Sequence, residues 1–74
     1  MTTEEILAEL DDLDRTYGID KVGVMMSYDS VGGNRITLVV TKQVEVVTVF
    51  SGETTEANRI FNFISEALLV RLNR

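Results

Sequence analysis

The chain has no cysteine and no histidine among its 74 residues. Disulfides, thiolate nucleophiles, imidazole bases and ordinary zinc or iron sites are therefore excluded, and carboxylates alone suit only hard ions, so no cofactor or metal is expected. The absence of cysteine fits a reducing compartment, and a cytoplasmic location is expected. There is no apolar run near the ~20 residues of a membrane span, and Met-Thr-Thr-Glu-Glu lacks the basic start of a signal peptide. Basic excess is missing as well. The net charge is −5, which argues against nucleic acid as a direct ligand and against an anionic membrane surface.

What remains describes a small α+β domain over residues 1–74. The charge is uneven. Residues 1–20 hold seven acids and one base, a balance of −6, whereas residues 21–74 hold five acids and six bases, a balance of +1. A basic protein partner suits the first segment. A domain this short hides only ~60% of its unfolded surface. With neither disulfide nor metal available, self-association or a bound partner is the expected source of added stability.

Residues 35 to 50 are nearly all β-branched, apolar or aromatic, as a pleated half-buried surface requires. Lys42 and Gln43 interrupt the run and divide it into strands over about 35–41 and 44–50. Upstream, Val22, Val24, Met26 and Tyr28 alternate with Gly23, Met25 and Ser27, a further strand. Asp29 to Asn34 forms the turn between them. Thr2 followed by Glu5 signs a capping box, and Ile6, Leu10, Leu13 and Tyr17 recur on one face of a helix over 3–17 that stops at Gly18. After Ser51–Thr54, with Thr54 as N-cap, a second helix runs over about 55–72 with an inner stripe of Ala57, Ile60, Phe61, Ile64, Leu68 and Leu72. The order is helix, three-stranded antiparallel sheet, helix, with both helices on one sheet face.

Parity sets the faces. An odd first loop places Val22, Val24, Met26 and Tyr28 with Ile36, Leu38 and Val40 on the core side. An odd second loop adds Val46 and Phe50. The opposite face then carries Met25, Thr37, Val39, Val47 and Val49, more apolar than a freely solvated face. On the second helix, Phe63 and Val70 line a flank of their own. Contiguous exposed apolar patches mark interaction sites. Met25, Val39, Val47, Val49, Phe63 and Val70 are accordingly the expected apolar interface.

The remaining candidates carry little chemistry. Asp11-Asp12-Leu13-Asp14 lies mid-helix and lacks the alternating ligands and glycine turn of a calcium loop. It reads as a solvated face or an acidic surface for a partner, together with Glu4, Glu5 and Glu9. Gly32-Gly33-Asn34-Arg35 joins two strands and opens no helix, so it is a hairpin turn and not a phosphate cradle. Ser30 beside Asp29 has no base to activate it.

In size, acidity and helix–sheet–helix order the chain resembles small phage-encoded inhibitor proteins, the anti-CRISPR proteins among them. The resemblance implies an inhibitor of a larger nucleic-acid-handling protein. Glu4, Glu5, Glu9, Asp11, Asp12 and Asp14 would then stand where that protein expects phosphates. The expectation is thus a non-enzymatic protein-binding module. The competing expectation is a self-associating structural or scaffold subunit, a homodimer paired through its apolar sheet face or along an edge strand. An enzyme is disfavoured, because no second layer forms a cleft.

Overall fold

The first helix is set at its start by two reciprocal bonds. In the computed structural model, which describes residues 1–74, the Glu5 backbone N–H donates to Thr2 Oγ1 at 3.2 Å, and the Thr2 N–H donates to Glu5 Oε1 at 2.9 Å. This is the capping box expected from the sequence. Donation first from the Thr2 backbone, then from its side chain, holds the Glu5 carboxyl below its ordinary value. Helix α1 spans Thr3–Tyr17 and buries Ile6, Leu10 and Leu13. Gly18 ends it at φ 95°, its N–H bonded to Asp14 O. A short 3-10 turn, Ile19–Lys21, then leads into the sheet, a link the sequence does not announce.

The sheet is an antiparallel meander of β1 (Val22–Asp29), β2 (Gly33–Val40) and β3 (Val46–Gly52), with β2 in the middle. Val22 pairs with Val40, Val24 with Leu38 and Met26 with Ile36 across the first hairpin, the parity expected from an odd loop. Asp29 Oδ1 accepts the Val31 N–H at 2.9 Å within that loop. Gly33 closes it at φ 82°, where a Cβ would lie 2.6 Å from Gly52 O.

The second hairpin departs from the expected register. Ile36 pairs with Phe50, but Thr37 pairs with Thr48, so Val49 is an extra residue in a β-bulge. One inserted residue reverses the parity of everything beyond it. Phe50 faces the core as expected. Val46 does not: it points outward and is 52% exposed. Val47 and Val49, expected on the outer face, both turn inward; Val49 is 1% exposed and Val47 packs half-buried against the core. The bulge is favourable because it lets Val47, Val49 and Phe50 all reach the apolar layer, which strict alternation forbids. The connection is longer than a turn at Lys42. It spans residues 41–45, with Lys42 and Gln43 both left-handed at φ 64° and 56°.

Helix α2 spans Thr54–Leu72. Its N-cap is Glu53, whose carboxylate accepts the Glu56 N–H at 3.1 Å. Thr54, expected in that role, instead accepts a bond from Asn34 Nδ2 at 2.9 Å, tying the helix start to β2. Ala57, Ile64 and Leu68 are buried, whereas Leu72, expected on the inner stripe, is 50% exposed at the end of the helix. Both helices lie on the same sheet face. Ile6, Leu10 and Leu13 of α1 share one core with Ala57, Ile64 and Leu68 of α2 and with Val22, Ile36, Leu38, Val40 and Val49 of the strands. Only 13 of 74 residues are buried, so much apolar side chain stays outside that core.

Candidate interaction surface

With both helices on one side, the other face of the sheet has no covering layer. Its side chains fall in rows defined by the pairing. Gly23, Val39 and Val46 form one row, Met25, Thr37 and Thr48 the next, and Ser27, Arg35 and Ser51 a third. The face is therefore apolar at one end and polar at the other. Met25 is 51% exposed, while Thr37, between its two neighbours, is 6% exposed. Because Gly23 has no side chain, a shallow depression of about 560 Å³ opens over it, bounded by Met25, Val39, Lys21 and Lys42. Asp20 pairs with Lys21 at 3.7 Å, whereas Lys42 has no ion-pair partner. The rim of the depression is consequently basic.

Of the expected apolar interface, Met25 and Val39 lie on this face. Val47 and Val49 lie on the core side, and Val46 takes the exposed place that parity assigned to Val47. Phe63 packs half-buried against the core and forms part of a groove of about 440 Å³ between Thr3 and α2. Val70 is 64% exposed, beyond the groove, near the end of α2. The two flank residues thus do not share one patch. Val31, at the tip of the first hairpin, is an exposed apolar residue outside any strand, and Val44, expected to open the third strand, lies before β3 and is exposed as well.

The six acids of α1 divide by what they bind. Glu5 belongs to the cap. Asp12 pairs with Arg15, one turn on. Asp11 Oδ1 accepts two bonds from Arg71 of α2, from Nε at 3.1 Å and from Nη2 at 3.0 Å. Glu4, Glu9 and Asp14 take part in no ion pair. No three carboxylates gather closely enough to hold a metal ion. At the far end of α1, Tyr17 Oη donates to Glu45 Oε2 at 2.9 Å. That bond, then partial burial and the carboxylate charge, raises the Tyr17 phenol above its ordinary value. The bond anchors the β2–β3 connection, and with it the Lys42 side of the depression.

No helix is long and apolar enough to cross a membrane. No protein family model, no curated protein and no solved structure matches the chain.

Proposed function

We propose that the chain is a non-enzymatic protein-binding module that meets its partner through the apolar end of the outer sheet face. The observation that supports this is the uncovered row of Gly23, Val39 and Val46 beside Met25, with an unpaired Lys42 at its rim. An apolar side chain of the partner fits the gap over Gly23, and an acidic group beside it meets Lys42. Apolar contact excludes water from the charge pair and strengthens it, which is the arrangement of a protein interface with an apolar centre and polar rim. The test is photo-cross-linking from single positions in lysate of the cells of origin. A cross-linker in place of Val46 is expected to capture a protein, and Val39→Lys in the same chain is expected to abolish that capture. Capture that is indifferent to Val39→Lys overturns the sheet-face reading.

A second reading follows from the charge of α1. The whole negative excess lies in residues 1–20, and Glu4, Glu9 and Asp14 are free of ion pairs. An inhibitor or regulator of a nucleic-acid-handling protein, of the anti-CRISPR kind, would use these three. Capture from a cross-linker in place of the exposed Ala8 that falls as salt rises, and is lost on reversing Glu4, Glu9 and Asp14 to lysine, favours it.

A further inference from the structure

Strand β1 is an edge strand, and its free edge is unprotected. Residues 22–28 are Val-Gly-Val-Met-Met-Ser-Tyr, without a charge or a proline. Natural edges are normally blunted by charges, prolines, bulges or a covering segment. The opposite edge, β3, is blunted: it carries the Val49 bulge, and the Met1 amino group approaches Val49 O at 3.4 Å. From Met25 to Asp29, β1 is exposed at every residue. Met26 and Tyr28 point to the core side of the sheet, yet are 37% and 73% exposed.

The direction of the free backbone groups follows from one bond. Val40 donates its N–H to Glu45 O, toward β3. In an antiparallel ladder successive residues point their N–H and C=O to opposite sides. Val39, Thr37 and Arg35 therefore bond to Gly23, Met25 and Ser27 of β1. The N–H and C=O groups of Val24, Met26 and Tyr28 are left pointing away from the sheet. The Val22 N–H, on the same side, is already bonded to Ile19 O.

We propose that a second copy of this chain pairs with this edge, β1 against β1, antiparallel about a twofold axis at Met25. In this register Met25 faces Met25 of the second copy. Val24 faces the second copy's Met26 in a hydrogen-bonded pair, and Tyr28 faces Val22. Three observations fit it. The available backbone groups match, giving about six bonds between copies. The exposed Met26 and Tyr28 come to lie beside Val24 and Val22, extending the apolar layer of the other copy. Lys21 and Asp29, which bracket the uncharged strand, come opposite each other with opposite charge at both ends. The product is a six-stranded sheet with all four helices on one side. Its two outer faces lie side by side, so this pairing stands whether or not the partner reading above holds.

The experiment is solution mass by light scattering across concentration, combined with directed disulfides. The native chain is expected to run at twice 8.3 kDa. Met25→Lys, at a position already exposed, is expected to yield a monomer with an unchanged circular dichroism spectrum. Met25→Cys is expected to cross-link on mild oxidation, since directly opposed, non-hydrogen-bonded residues hold their Cα atoms about 4.5 Å apart, within disulfide range. There is no native cysteine to compete. Lys21→Glu is expected to weaken the dimer several-fold, and adding Asp29→Lys is expected to restore it. A native chain that stays monomeric at millimolar concentration, a dimer that survives Met25→Lys, or preferential cross-linking of Ser27→Cys over Met25→Cys overturns the proposal.

Discussion

Arg71 holds Asp11 through two nitrogens on one carboxylate oxygen, joining the last turn of α2 to the middle of α1. The guanidinium also donates to Ala67 O at 3.2 Å, and its side chain is only 14% exposed, against 56% for Asp11. The pair fastens the two helices directly to each other. Asp11→Ala removes the anion and leaves a largely buried cation, so a loss of about 1 kcal/mol is expected, and the double-mutant cycle with Arg71→Ala should return a coupling of ~0.5–1 kcal/mol, limited by solvent at Asp11. Urea unfolding of the four chains measures both. Charge reversal at Asp11 therefore weakens the fold itself. Any test of the acidic surface belongs at Glu4, Glu9 and Asp14.

The bulge makes opposite predictions for neighbouring valines. Val49→Lys buries a charge in the core and should leave the chain unfolded, at a cost of several kcal/mol. Val46→Lys lies on the open face and should change stability by ~0.5 kcal/mol or less. A uniform register predicts the reverse order. Thermal melts of the two variants decide between them.

The two adjacent glycines of the first hairpin should behave differently. Gly33→Ala meets both a left-handed φ of 82° and the Gly52 carbonyl at 2.6 Å, and a loss of at least ~2 kcal/mol is expected. At Gly32 the nearest neighbour of a Cβ is Asp29 Oδ2 at 3.9 Å. Gly32→Ala should fall within ~0.5 kcal/mol of the native chain. For a domain this size, each kcal/mol moves Tm by roughly 4–8 °C.

Two groups make stability depend on pH at the extremes. The Tyr17 phenol is raised above its ordinary 10.0 by its bond to Glu45. Its contribution is fully present below pH 10.0 and is lost as pH rises through the higher folded value. In a Tyr28→Phe background, near-ultraviolet absorbance should show a single phenol titrating late, and Glu45→Gln should bring it back down. Glu5 behaves oppositely. Its carboxyl is held below 4.5, so its contribution is present above 4.5 and is lost as pH falls through the lowered folded value. Glu5→Gln should flatten the acid side of the stability profile in that window.

Local patterns in the sequence determined the elements that local physics governs. The spacing of Ile6, Leu10 and Leu13, the Thr2–Glu5 box and the Gly18 stop define α1 to the residue. The alternation of Val22, Val24 and Met26 with its odd loop defines the first hairpin. The candidate surface was half legible. Met25 and Val39 followed from parity, because β1 and β2 alternate cleanly. Val46 and the true places of Val47 and Val49 did not, because 44–50 is apolar on both parities and alternation cannot choose a register there. Only tertiary packing decided it: the bulge at Val49 brings Val47, Val49 and Phe50 together against the core. Packing likewise chose Glu53 over Thr54 as the cap, once Asn34 claimed the Thr54 hydroxyl, and it drew Asp11 to Arg71, which lies 60 residues away in the chain. A sequence specifies each side chain's tendencies over one or two turns. Which carboxylate stays free, and which strand edge stays bare, depends on what the rest of the chain brings beside it.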